Sequence, residues 1–165
     1  MYKLLLMLSF AQAPEIGLGW MQEFDLATRQ ILALAEATPE DKFSWRPSPA
    51  VRSVSEVYMH IAIGNLGLLR AAGATLKTDI SMLNNDSEKT IKAKADVIRW
   101  LEKAAAEVKL QYGIVDRTKR VKFFGKDTTA DNIFLRILVH NHEHMGQSIA
   151  YARTIGVKPP WSGKD

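Results

Sequence analysis

The sequence contains no cysteine, and this absence excludes several kinds of chemistry. Disulfide bonds, thiolate metal ligands and a cysteine nucleophile all need a thiol. Histidine, aspartate and glutamate therefore remain as the strong metal ligands of this chain. The absence of cysteine leaves the cellular compartment open, because an exported protein can also lack it.

The sequence also has only a small excess of positive over negative charge. The formal net charge is +4 over 165 residues, and the basic residues are mixed with acidic ones. One short basic stretch, residues 117–122, precedes Phe123-Phe124-Gly125. A nucleic-acid groove needs a continuous basic stripe with interleaved aromatic residues. We therefore predict a solvated loop at this stretch and no nucleic-acid partner.

No apolar run reaches the roughly 20 residues that span a bilayer, so we predict no stable membrane span. The first residues instead resemble an export signal: a basic start at Lys3, apolar residues 4–10, and Ala11-Gln12-Ala13 as a cleavage site. We predict a short or truncated signal peptide over residues 1–13 and a periplasmic protein. The alternative is an apolar first helical turn in a cytoplasmic protein.

Apolar residues recur at helical spacing in four stretches, which predict four long helices at residues 15–37, 53–73, 87–111 and 130–154. Ser53 and Glu56 fit a capping box at the start of the second helix, and Thr128 or Thr129 can cap the fourth. Residues 121–126 predict an extended excursion with a turn at Gly125. Residues 14–165 are therefore expected to form one all-α domain, a four-helix bundle whose topology the long connections leave open.

Three of the four histidines lie close together in the sequence His140-Asn141-His142-Glu143-His144. Residues four apart project from one face of a helix, so His140 and His144 can share a metal ion, whereas His142 points away. Neutral imidazole pairs of this spacing suit zinc, nickel or iron. The spacing alone is a weak signal, because two core histidines with hydrogen-bond partners would give the same pattern.

His60, on the second helix, is the remaining histidine and the candidate third ligand. A lone histidine in an apolar stretch is more often a hydrogen-bonded core residue, so both interpretations stay open from the residues alone. Glu56 can reach the same face, but its capping role explains it. Gln147 follows His144 by one turn and is a candidate donor to that ring. Glu143 is expected to be solvated.

Two segments of the chain are distinctive. The first comprises residues 43–49, Arg52-Ser53-Val54 and His60-Ile61-Ala62; the second comprises residues 140–147 with Tyr151, Arg153, Gly156 and Pro159-Pro160. In their residues, order and separation, these segments resemble the DinB-like family. The resemblance covers the chain from about residue 15 onward. It implies a four-helix bundle, commonly a homodimer, in which His60, His140 and His144 hold a divalent metal.

The resemblance also implies possible chemistry. Family members with assigned activities include S-transferases and isomerases that use bacillithiol, mycothiol or glutathione, where the metal would activate the thiol. We therefore expect a small-molecule substrate and either thiol-dependent S-transfer or metal-dependent hydrolysis. Glu56 and Glu143 are the candidate general bases, and the spacing places neither well. A non-catalytic metal-binding protein of the stress response is the alternative.

The fourth helix is apolar on its far side as well. That side is formed by Leu135, Leu138, Val139, His142 and Ile149. A helix that is apolar on most sides is buried on most sides, so we expect a neighbouring helix or the partner of a homodimer to cover this surface. In a third alternative the protein is an interaction module, and its histidines are only structural.

Overall fold

The computed structural model describes residues 17–163, which are mostly helical, as the all-α prediction requires. The predicted signal peptide at residues 1–13 lies outside the described residues. The helices are α1 (Trp20–Ala37), α2 (Val54–Ala71), α3 (Ser87–Thr90), α4 (Lys94–Tyr112) and α5 (Ala130–Thr154), with a short 3-10 helix at Glu40–Lys42. Within the described range, no helix combines the length and apolar character that a membrane crossing requires.

The helices that carry the histidines begin where the sequence predicts. Ser53 Oγ accepts a hydrogen bond from the backbone N–H of Glu56 at 3.3 Å, and the Glu56 carboxylate accepts one from the Ser53 N–H at 3.0 Å. This capping box satisfies two N–H groups that have no partner inside the helix. Thr129, rather than Thr128, caps α5 by accepting from the N–H of Asn132.

The prediction of one helix over residues 87–111 is wrong, because the chain is extended between α3 and α4. Ile91 and Ala93 have ψ angles of 100° and 127°, outside the helical range. The break allows Ile91 to pack against the hydrophobic core while Glu88 contacts Arg52 and His60. Short helices gain most of their stability from such tertiary contacts rather than from continuity.

The four long helices form a bundle in which α2 and α1 each pack against α4 and α5. The amino-terminal halves of α2 and α4 share one hydrophobic cluster. The carboxyl-terminal halves of α2 and α4 lie in a second cluster, together with the amino-terminal halves of α1 and α5. Helices α2 and α4 are therefore parallel, and residues 72–93 must run the length of the bundle to connect them.

A hairpin connects α4 to α5. Its strands β1 (Arg120–Phe123) and β2 (Lys126–Thr129) are antiparallel, with Phe123 opposite Lys126. The turn residues Phe124 and Gly125 both have positive φ angles, 48° and 76°. The predicted extended segment and its turn are thus confirmed, whereas the basic stretch predicted as a solvated loop is partly strand β1.

Candidate metal centre

Three histidines meet between α2 and α5. His60 lies on α2, and His140 and His144 lie one turn apart on α5. Their ring centroids are 5.1 Å apart for His60 and His140, 4.6 Å for His60 and His144, and 4.7 Å for His140 and His144. One nitrogen of each ring lies within 4.8 Å of the corresponding nitrogens of the others. The three rings are therefore arranged so that they could hold one ion.

A carboxylate orients the first of these rings. His60 Nδ1 lies 2.9 Å from Glu88 Oε2, and the other oxygen of Glu88 accepts from Arg52 Nε at 2.5 Å. An imidazole that donates its Nδ1–H to a carboxylate keeps the lone pair of Nε2 available for a metal. Glu88 lies on α3, so the break before α4 positions the orienting group.

An amide orients the second ring. His144 Nδ1 lies 2.8 Å from Gln147 Oε1, and Gln147 Nε2 donates to the hydroxyl of Tyr151 at 3.0 Å. The predicted contact between Gln147 and His144 is therefore present, although Gln147 accepts from the ring rather than donating to it. The Tyr151 ring packs edge-on against Trp45, with centroids 5.4 Å apart.

His140 is the most buried of the three, and its ring lies against the backbone of α2. Its Nδ1 is buried and makes no hydrogen bond to any residue between 17 and 163. A Cβ atom at Gly64 would lie 2.5 Å from the Cε1 atom of this ring. A buried imidazole next to two others, with one nitrogen unpaired, is the environment in which a bound cation offsets the cost of burial.

Burial also sets the protonation state that a metal requires. Desolvation, with smaller contributions from His144 and His60, lowers the pKa of His140 to about 4. Desolvation lowers the pKa of His60 as well, although the hydrogen bond to Glu88 opposes the shift. Both rings are therefore neutral near pH 7, which is the form of imidazole that binds metals.

A reciprocal amide pair fixes α5 against α2 beside the histidines. Asn65 Nδ2 donates to Asn141 Oδ1 at 3.2 Å, and Asn141 Nδ2 donates to Asn65 Oδ1 at 2.8 Å. Asn141 Nδ2 also contacts the carbonyl oxygen of Ile137 at 2.7 Å. Both side chains are buried, so a shift of either helix would leave polar groups unsatisfied.

The other polar residues singled out in the sequence lie outside this cluster. Glu56 caps α2 and pairs with Arg46 at 2.6 Å. Glu143 pairs with Arg136 and is half exposed. His142 donates through Nδ1 to the carbonyl oxygen of Leu138 at 2.9 Å, as expected for a histidine that points away from the other two.

Sequence reasoning missed Glu88, Gly64 and the Asn65–Asn141 pair. Glu88 is distant from every histidine in the sequence, and only the packing of the 72–93 connection brings it to His60. Gly64 did offer a signal, because it lies one turn after His60 in the interior of a predicted helix. A glycine there costs about 1 kcal/mol relative to alanine, which indicates a packing or functional reason.

The chain is similar in fold to known proteins and in sequence to a known family. Two solved structures share its fold: a DinB-like protein from Bacillus cereus ATCC 10987 (TM-score 0.74, 15% identity, covering 87% of this chain and 95% of that one) and a DinB-like protein from Bacillus subtilis (TM-score 0.63, 18% identity, covering 88% and 99%). No curated protein matches the sequence significantly. The model of the DinB family matches residues 12–163. The chain therefore belongs to the DinB family.

Proposed function

We propose that the chain binds one divalent transition metal ion, zinc, nickel or iron, through His60, His140 and His144, and that it uses this ion in a transfer reaction of a low-molecular-weight thiol. The observation that carries the proposal is the cluster of three nitrogens within 4.8 Å of one another. Three protein ligands leave a coordination position open, which is the arrangement of a catalytic site rather than a structural one.

The nearby carboxylates are already bound to other side chains, which favours thiol chemistry over hydrolysis. Glu88 is held by His60 and Arg52, and Glu143 is held by Arg136. Hydrolysis by activated water is usually assisted by a general base, whereas a thiol, with an ordinary pKa of about 8.5, is readily deprotonated when it binds a cation. A bound metal would supply the Lewis acidity that lowers the pKa of the thiol. Hydrolysis is the second candidate reaction.

The metal site is tested first. The chain is purified without a histidine tag, and its metals are quantified by mass spectrometry beside two variants. We expect about one metal ion per chain in the native protein and a loss of most of it in His144→Ala, since each ligand is needed for tight binding. His142→Ala is the matched control, because His142 lies on the same helix but bonds to Leu138. Equal metal contents in all three proteins would contradict the assignment.

Thiol binding is tested on the cobalt-substituted protein. We expect glutathione to produce a thiolate-to-cobalt charge-transfer band in the near ultraviolet in the native protein and in His142→Ala, and no band in His144→Ala. Turnover is then followed as conjugation of the thiol to monochlorobimane, beside the hydrolysis of p-nitrophenyl acetate. Metal binding with neither a charge-transfer band nor conjugation would exclude thiol transfer with these reagents. Metal-dependent ester cleavage would then favour the hydrolase.

We also propose a homodimer that is formed through the outward face of α5. Leu135 and Val139 on this face are 53% and 40% exposed in the single chain, and burial of such side chains favours association. Sedimentation velocity at micromolar concentration is expected to show a dimer for the native protein and a monomer for Leu135→Lys. A native protein that sediments as a monomer would remove this proposal.

Export through residues 1–13 is a separate proposal, and it competes with the thiol reaction for the choice of substrate. Low-molecular-weight thiols are chiefly cytoplasmic, so a periplasmic enzyme would need a different small-molecule substrate. Cell fractionation and mass measurement of the native protein would decide. A periplasmic chain that begins at Pro14 would support cleavage after residue 13, whereas a cytoplasmic chain that begins at Met1 would contradict it.

A further inference from the structure

The tip of the hairpin between α4 and α5 presents an aromatic ring to solvent. Phe124 is 91% exposed, more than any other large hydrophobic side chain among residues 17–163. Its neighbour Phe123 packs against the hydrophobic cluster that includes Phe134. The hairpin is therefore anchored by Phe123, and Phe124 contributes little to the core.

The backbone conformation of Phe124 is also unusual. Its φ angle of 48° is the only positive one of a non-glycine residue between 17 and 163, and Gly125 follows with 76°. Two-residue hairpin turns with positive φ at both positions favour Asn-Gly, Asp-Gly or Gly-Gly, because other side chains are strained there. A bulky aromatic residue at this position stabilises neither the turn nor the hydrophobic core. Strain and exposure together indicate a role outside the folded chain.

Basic residues surround this tip. The ten residues from 117 to 126 include five basic and no acidic side chains. Arg120 and Lys122 are exposed, and they alternate along β1 with Val121 and Phe123, which pack against the core. Lys122 pairs with Asp127 at 3.2 Å, but both side chains are more than 60% exposed, so solvent screens the pair. The outward face of the hairpin is therefore positively charged.

We propose that this hairpin docks on the surface of an anionic lipid bilayer. The Phe124 ring would enter the boundary between headgroups and acyl chains, and Arg120, Lys122 and Lys126 would lie at the level of the lipid phosphates. The basic side chains are complementary to an anionic surface. The convex tip favours insertion into a surface that can deform, such as a bilayer. Stacking of nucleic-acid bases would instead need several aromatic faces along a groove. The proposal does not depend on metal binding.

The turn itself supplies a variant that separates docking from folding. Phe124→Asn creates Asn-Gly, the preferred pair for this turn, so the variant should fold at least as stably as the native chain. Met82→Gln is the control, because Met82 is also strongly exposed, at 69%, but lies in the connection between α2 and α3. The pair Arg120→Gln/Lys126→Gln tests the contribution of charge.

Binding is measured by co-sedimentation with vesicles of phosphatidylcholine alone or mixed with phosphatidylglycerol, at low and physiological salt. We expect binding only to the mixed vesicles, about a tenfold loss in Phe124→Asn, and more than a tenfold loss in the charge variant. Met82→Gln should bind like the native chain. Absence of binding to mixed vesicles, or equal binding by Phe124→Asn, would overturn the proposal. Tighter Phe124-dependent binding to a labelled oligonucleotide would replace the bilayer with nucleic acid.

Discussion

Gly64 leaves room for the ring of His140 because it lacks a side chain. We predict that Gly64→Ala lowers the affinity for zinc by at least tenfold, because a methyl group 2.5 Å from Cε1 must displace the ring. Competition with a fluorescent zinc chelator measures the affinity.

Gly67 provides the matched control for this substitution. It lies one turn further along the same helix, and a Cβ atom there would meet nothing within 4 Å. Gly67→Ala should leave zinc affinity unchanged and raise the free energy of unfolding by about 0.5–1 kcal/mol, because alanine favours the helix. Equal zinc affinities in both variants would contradict the role of Gly64.

At the scale of single residues, the sequence predicts most directly the residues whose spacing places them on one face of a helix. His140 and His144 are one turn apart, so their shared face follows from helix geometry. His60 enters as the remaining histidine and through the resemblance to the family. Glu88 cannot be found in this way, because its distance to His60 depends on how a long connection packs.

Among the elements, the connection between α2 and α4 is anchored in part by a buried carboxylate of α4. Glu107 is buried and accepts hydrogen bonds from the N–H groups of Lys77 and Thr78, at 3.0 and 2.7 Å, and from the side chains of Thr78 and Gln111. The same connection continues to Glu88, so this anchor also supports the orientation of His60.

We predict that Glu107→Gln lowers the free energy of unfolding at pH 7 by about 2 kcal/mol, the scale of hydrogen bonds to a charged group. Burial raises the pKa of Glu107, but hydrogen bonds from Thr78, the Lys77 N–H and Gln111 lower it more, so it lies below its ordinary 4.5. Its stabilisation is therefore full above about pH 4.5 and is lost as the pH falls through the folded-state pKa.

Urea unfolding at several pH values measures this effect. The difference between the native chain and Glu107→Gln should be largest near neutral pH and should shrink in acid, where the native carboxyl is protonated. Glu102→Gln is the control, because Glu102 lies on the exposed side of the same helix. A difference that does not change with pH would show that the charge of Glu107 is not the cause.

Helix positions were predictable where capping and periodicity agree. The capping box at Ser53 and the cap at Thr129 mark the starts of α2 and α5, and the predicted end of α5 at Thr154 is confirmed. The break before α4 was not predictable, because the apolar spacing continues across residues 91–93. The packing of Ile91 and the ion pairs of Glu88 overcome that local preference.

For the whole molecule, a metal bound to His60, His140 and His144 would join α2 to α5 and stabilise the fold. We predict that zinc at about 100 times its dissociation constant raises the free energy of unfolding by about 2.7 kcal/mol, because the unfolded chain lacks the assembled site. Thermal unfolding with and without zinc measures the shift. His142→Ala should keep it and His144→Ala should lose it; an equal shift in both would contradict binding at this site.

The amide pair between Asn65 and Asn141 aligns α5 with α2, and this alignment sets the distance from His60 to His140 and His144. A slide of α5 by one turn, about 5.4 Å, would part the two amides and carry His140 and His144 away from His60 together. Added residues in the hairpin leave this alignment intact. One residue inserted between Asn141 and His144 would instead rotate His144 by about 100° and remove it from the site. The hairpin can therefore change in length, whereas the number of residues between His140 and His144 is fixed.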